Sequence, residues 1–168
     1  MKWTMVMAMT VDGIVARGDE KPPAWTSAED KTHFHGKMMD ADAIISGRKS
    51  FEGRLVPRDF YVLTRNRELI ESSEAPVFYT DASPRELAAL LEQRGYQHIL
   101  LLGGPEINQL FWDARLVDEL YLTVEPKLFG SGKHLASGKA MAQELTLESV
   151  KQLNSRGTLL LHYLVKKN

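Results

Sequence analysis

The 168-residue chain predicts an α/β domain: a mainly parallel central sheet, helices on both faces, and an antiparallel hairpin at the C-terminal end. Three observations carry this. The apolar runs Ala43-Ile44-Ile45 and Ile99-Leu100-Leu101-Leu102 lack polar alternation, as strands covered on both faces do. Helical segments opened by good N-caps, Ser27 and Ser83, lie between such runs. The tail changes period: residues 145–150 and much of 159–165 alternate, with Ser155-Arg156-Gly157 between them, which reads as a hairpin.

In order, residues 2–10 form the first strand and Val11-Asp12-Gly13 turns out of it. Residues 16–24 are a polar loop broken by Gly18 and Pro22-Pro23 and closed by Trp25. A helix over 28–39 has Glu29 and Asp30 in its first turn, with Phe34 and Met38 on the face that packs on the sheet. The strand at 43–46 runs into Gly47-Arg48-Lys49-Ser50 and a short helix through Phe51. Strands follow at 60–63 and 77–79, then a helix from Pro84 to about residue 94, with Gly95 just past its end. The central strand, 98–102, enters Gly103-Gly104 and a helix over 105–114. A long strand, 119–125, ends at Pro126, and Gly130-Ser131-Gly132 is a loop. No repeat or linker divides the chain, so residues 1–168 are read as one domain.

Composition narrows the function classes. A formal charge of −1 argues against a general nucleic-acid binder. No apolar run approaches the ~20 residues that cross a bilayer. The absence of cysteine excludes disulfides, thiolate metal sites and a cysteine nucleophile, and the cytoplasm is the expected compartment. His33 and His35 face different directions on their helix, so no metal site is expected. A G-x-S-x-G elbow and a GxGxxG fingerprint are both missing.

In a parallel α/β sheet, ligands bind beyond the carboxyl ends of the strands. The candidates are therefore Asp12-Gly13, Gly47 to Ser50, Thr64-Arg65, Gly103 to Glu106 and Glu125. Gly103-Gly104 lets backbone approach a ligand; Pro105 suits the first helical position and Glu106 its positive end, which makes an anion cradle as well as an ordinary strand-to-helix turn. Arg48, Lys49 and Ser50 offer two cations and a hydroxyl, and Thr64-Arg65 one more of each. A guanidinium pair suits a phosphate monoester, which favours NADPH over NADH; singly, each arginine reads equally as a solvated surface charge. Asp30 follows Trp25 on a helix with an apolar face. A carboxyl against an aromatic wall has a raised pKa and can anchor or protonate a nitrogen heterocycle, whereas one facing water only caps the helix. Asp12 reads as a ligand or as a turn former.

Taken in register, Trp25…Asp30, Gly47-Arg48-Lys49-Ser50, Gly103-Gly104-Pro105-Glu106 and Leu116-Val117-Asp118-Glu119-Leu120-Tyr121-Leu122-Thr123 resemble the dihydrofolate reductase-like superfamily over nearly the whole chain. Val11-Asp12-Gly13, Trp25-Thr26-Ser27 and Glu125-Pro126-Lys127-Leu128-Phe129-Gly130-Ser131-Gly132 resemble its riboflavin-biosynthesis reductases most. The Trp25–Asp30 spacing and Gly47-Arg48 are similar to dihydrofolate reductase itself.

The resemblance implies a three-layer fold and an NADPH-dependent reductase. Ala8 would meet the nicotinamide. Gly47, Arg48, Lys49, Ser50, Thr64 and Arg65 would hold the adenosine phosphates, and Gly103-Gly104 is similar to a pair joined by a cis peptide. Asp30 corresponds to the carboxylate that holds a pterin ring, Thr123 to the hydroxyl supporting it, and Glu125 is a further candidate acid. Asp12, Trp25, Phe34 and Arg58 make up the expected substrate side, Arg58 gripping its anionic end. The implied reaction reduces the ribose of 5-amino-6-(5-phosphoribosylamino)uracil to the ribityl chain. Reduction of dihydrofolate or another pteridine is the alternative, and a non-catalytic nucleotide-binding module the second. The implied partners are a small-molecule substrate and, as in the riboflavin-pathway reductases, a second copy, with residues 120–122 and the terminal hairpin offering the surface.

Overall fold

Each of the apolar runs becomes a strand buried on both faces. The computed structural model describes residues 1–18, 24–135 and 143–167, so positions 19–23 of the expected 16–24 loop, Pro22-Pro23 among them, lie outside the described residues. In chain order the elements are β1 (Lys2–Thr10), β2 (Ile14–Ala16), α1 (Ala28–Asp40), β3 (Ala43–Gly47), β4 (Asp59–Leu63), α2 (Arg67–Glu71), β5 (Val77–Thr80), α3 (Pro84–Gln93), β6 (His98–Leu101), α4 (Pro105–Asp113), β7 (Glu119–Glu125), β8 (Lys133–His134), β9 (Leu145–Gln152) and β10 (Leu159–Val165). Eight strands form one sheet in the order β5-β4-β3-β6-β1-β7-β10-β9. The first six run parallel, and β10 and β9 close the sheet antiparallel.

Successive side chains of these strands enter two different cores, which is why the sequence shows no polar alternation. Trp3, Met5, Ala43, Ile45, Tyr61, Ile99 and Leu101 meet α3 and α4 through Leu87, Leu91, Phe111 and Trp112. On the other face Val6, Ile44, Phe60, Val62 and Leu100 meet Met38 of α1, with Phe34 packed beside it. The result is a three-layer α/β domain. Ser27 caps α1 by accepting from Asp30 N, and Ser83 forms a capping box with Glu86 on α3.

Two expectations change. The helix expected after Gly47 is a single turn, because Arg48 N–H donates across to Leu63 O and Phe51 N–H back to Gly47 O before the chain leaves. Three short elements went unseen in the sequence: β2 and β8, which pair with each other, and α2, capped by Asn66.

At the amino ends of the parallel strands Glu119 is 2% exposed. It accepts from Thr4 Oγ1 (2.6 Å), Lys2 Nζ (2.9 Å) and His162 Nε2 (2.9 Å). The Thr4 hydroxyl gives its one proton to Glu119 and also lies 2.9 Å from His98 Nε2. Burial alone would raise the Glu119 pKa, but these donors outweigh it and hold the carboxyl below the usual glutamate range. The sign of the linkage follows. A carboxyl more acidic folded than unfolded contributes stability in full above its unfolded pKa, near 4.5, and loses it as pH falls through its folded value. Urea unfolding measured from pH 6 downward is expected to show a steeper acid loss in the wild type than in Glu119→Gln.

Candidate functional site

The carboxyl ends of β1, β3 and β6 and the first turns of α1 face one another across a cavity of about 580 Å³. Its walls include Val6, Met7 and Ala8 of β1, Ser46 of β3, Leu102 and Gly104 beyond β6, and Asp30, Lys31 and Phe34 of α1. Asp30 and Gly104 of the glycine pair thus share one hollow, with Trp25, Thr26, Lys49 and Ser50 also on its walls.

Asp30 is 7% exposed. Burial pushes its carboxyl above the usual aspartate range; the hydroxyls of Thr123 and Thr26 pull it back, the charge of Glu125 pushes it further up, and Lys31 draws it down. Thr123 lies opposite Ala8 on the adjoining strand, fully buried. Its hydroxyl bears on Asp30 but has no hydrogen-bond partner of normal geometry. An acid that is reluctant to ionise, set in a largely apolar hollow, can keep a proton to donate or can bind a ring nitrogen.

Gly103 and Gly104 are joined by a cis peptide, and Gly103 has φ 83°. A Cβ at Gly103 would sit 3.1 Å from Asn108 Nδ2, one at Gly104 3.0 Å from Ser50 Oγ, and one at Gly47 2.7 Å from Ile107 Cγ1. The three glycines therefore let β3 and β6 close onto the start of α4. That start is open: Gly104 is the N-cap and supplies no side-chain hydrogen bond, with Pro105 and Glu106 following. Asn108 is fully buried beneath, donating to Met7 Sδ while its Oδ1 has no partner. Backbone without side chains, an uncapped helix N-terminus and the hydroxyl of Ser50 beside Lys49 together fit a phosphorylated dinucleotide.

The other expected residues divide. Trp25 and Phe34 line the cavity, Trp25 standing edge-on to Phe129 at 5.2 Å. Arg48, Thr64 and Arg65 do not line it; they sit at the adjoining ends of β3 and β4, where Arg48 N–H meets Leu63 O and the Thr64 hydroxyl accepts from Asn66 N. Asp12 is turned away from the cavity walls and accepts from Thr10, Phe129 N and Gly130 N, so it ties the first turn to the 127–130 loop; the hydroxyl of Thr10 leads these donors in holding its carboxyl below the usual range. Arg58 is likewise not a wall residue: its Nη2 donates to Met39 O (2.6 Å) near the C-terminal end of α1. Glu125, 3% exposed, has both oxygens occupied, by Ser27 N (2.6 Å) and Thr158 Oγ1 (2.8 Å), and stands behind Asp30 rather than in the cavity. Three cations on the wall were not foreseen: Lys31, Arg17, whose guanidinium lies 4.2 Å over Phe129, and Lys133, paired with Glu106 at 3.9 Å. Only Lys31, next to Asp30, had a signal in the sequence.

The family model of the RibD C-terminal domain matches residues 54–159. The chain belongs to this family. A pyrimidine reductase-like protein of Corynebacterium diphtheriae superposes with a TM-score of 0.82 at 16% identity, over 99% of this chain and 92% of that one. Dihydrofolate reductase of Enterococcus faecalis, solved with NADP(H), superposes at 0.71 and 20% identity, over 99% and 97%. The uncharacterised YyaP of Bacillus subtilis is 27% identical over 148 residues, 77% of each chain. The fold is thus that of the RibD C-terminal domain and of the wider dihydrofolate reductase-like group, as the sequence motifs implied. No helix among the described residues is long and apolar enough to cross a membrane.

The contact at Gly47 is testable. Gly47→Ala is expected to cost about 1–3 kcal/mol of stability by overpacking against Ile107. Gly36→Ala, in open space on α1, is expected to be neutral or stabilising, by up to about 1 kcal/mol. Urea denaturation of both variants measures the difference.

Proposed function

We propose that this RibD-type domain is an NADPH-dependent reductase acting on 5-amino-6-(5-phosphoribosylamino)uracil, turning its ribose into the ribityl chain. The observation that carries the reading is the buried carboxyl of Asp30 sharing one cavity with Gly104, the second residue of the glycine pair. Membership of the family and the likeness to a pyrimidine reductase-like fold support it.

NADPH, when bound, supplies the hydride that the sugar carbon takes up. The chain's own residues do the rest. Gly103, Gly104, Pro105 and Glu106, with Gly47, Lys49 and Ser50, form the phosphate cradle, and Ala8 forms the wall beside the nicotinamide. Arg48, Thr64 and Arg65, beyond the cavity at the neighbouring strand ends, would hold a 2′-phosphate. Asp30 would hold the pyrimidine and give its proton to the sugar ring oxygen, whose bond to the carbon breaks as that carbon takes up the hydride, with Thr123 and Thr26 orienting the carboxyl. Trp25 and Phe34 clamp the ring and exclude water. Lys31, Arg17 and Lys133, rather than Arg58, stand where an anionic substrate tail can reach them.

Reduction of dihydrofolate is the second reading, favoured by the Trp25–Asp30 spacing and by the likeness to the Enterococcus enzyme. The partner we propose is a second copy on the terminal hairpin, where the edge strand β9 exposes Leu145, Leu147 and Val150.

NADPH oxidation is expected with the aminopyrimidine ribotide and not with dihydrofolate; the reverse result overturns the first reading, and NADPH binding without oxidation of either favours a binding module. Asp30→Asn is expected to cut turnover at least about 100-fold. Because ionising Asp30 in its burial costs free energy, the same variant is expected to unfold at a higher urea concentration at neutral pH. Leu147→Glu is expected to shift sedimentation from dimer to monomer.

A further inference from the structure

A line of hydrogen bonds leaves Asp30 on the side away from the cavity and ends in the turn of the terminal hairpin. We propose that Thr158, in that turn, is a positioning residue for Asp30 and acts through Glu125. This rests on the reading of Asp30 as the acid that faces the substrate.

The direction of each bond can be assigned. Asn154 Oδ1 accepts from Arg156 N (3.1 Å) and Thr158 N (3.3 Å), which fixes the orientation of the amide. Its Nδ2 therefore donates, to Thr158 Oγ1 (3.0 Å) and to Glu29 Oε2 (3.1 Å) in the first turn of α1. The Thr158 hydroxyl, 1% exposed, receives that bond, so its single proton goes to Glu125 Oε2 at 2.8 Å. The other Glu125 oxygen accepts from Ser27 N at 2.6 Å, and Ser27 Oγ accepts in turn from Asp30 N at 3.2 Å. The links from Thr158 through Glu125 and Ser27 to Asp30 are buried, and each donor along them serves one acceptor.

The effect on Asp30 is of two kinds. Holding Ser27 fixes the N-cap, and with it the place where α1 presents Asp30. Holding Glu125 at both oxygens fixes a negative charge near the acid. The groups that bear on Asp30 are Lys31 on its own helix, Glu125 and Thr123 on β7, and Thr26 in the preceding loop; Arg17, Lys49, Glu52 and Lys133 line the cavity in front. Among the described residues, Glu125 is the acid whose charge bears on Asp30 from outside the cavity. Glu125 itself lines a second hollow of about 450 Å³, together with Thr26, Ser27, Lys127, Arg156 and Thr158, and without the Thr158 bond its carboxyl has room there to turn. Thr158 prevents that turn.

The test follows the Asp30 carboxyl itself, in the full chain without ligand, by carbon-13 NMR of labelled aspartates, with the resonance identified by its loss in Asp30→Asn. Glu125→Gln is expected to lower the titration midpoint of Asp30 by roughly one pH unit, since a like charge is removed. Thr158→Val is expected to lower it in the same direction, and Thr158→Ser, which restores the hydroxyl, to return it to the wild-type value. In the NADPH assay, Thr158→Val is expected to reduce kcat while KM for NADPH stays unchanged. A folded Thr158→Val protein with the wild-type midpoint overturns the proposal. Should that variant fail to fold, Asn154→Ala, which removes the group orienting the Thr158 hydroxyl, carries the same test with the same two outcomes. Because the titration needs no turnover, a wild type inactive toward the aminopyrimidine refutes the functional reading, while a shifted midpoint in the variants still upholds this one.

Discussion

A carboxyl group stays buried only where its surroundings hold it in place without neutralising it, and the seam between α1 and β7 does this for Asp30. Alternate residues of β7 face the helix, at a spacing close to that of successive helical turns. Glu125 meets Ser27, Thr123 meets Asp30, and the ring of Tyr121 lies under Lys37 Nζ at 3.7 Å and beside His33 at 5.3 Å. Apolar contacts alone could slide along such a seam. These polar pairs cannot, because each is matched in only one register. Burial of Asp30, its raised proton affinity and its aim at the cavity are three results of that one fit.

The opposite wall is built by subtraction. Where α1 and β7 specify position with polar and ring contacts, β3, β6 and α4 specify it with missing side chains. Gly47, Gly103 and Gly104 leave room for the side chains of Ile107, Asn108 and Ser50 at distances that a Cβ would violate or strain. The helix end left open there offers N–H groups and a partial positive charge to whatever enters. One wall thus suits a group that exchanges protons and the other a group that carries phosphate.

What could be read from the sequence was what is encoded locally. The Ile99–Leu102 run into paired glycines, the Ser27 cap with Asp30 three residues on, and the alternation of 145–150 each sit within a dozen residues, and each appears as expected. What could not be read depends on partners far along the chain. Asp12 is engaged by backbone 117 residues away and Glu125 by backbone 98 residues away, so their commitment to structural bonds left no local trace. The resemblance puts Arg58 at the anionic end of a substrate, yet its guanidinium donates to Met39 O, a partner 19 residues away. Lys133 and Arg17 reach the cavity through loops whose course only the paired β2 and β8 define.

The sheet order also governs how the molecule comes into being. β1 lies between β6 and β7, and no strand made before residue 98 is its neighbour in the sheet. On a ribosome, β1 emerges before either of its sheet neighbours and must wait, apolar and unpaired in the sheet, until β6 and β7 have been synthesised. Its alternative partners meanwhile are other nascent chains or chaperones. The native pairing closes late, and it is long-range and parallel, which makes for slow folding.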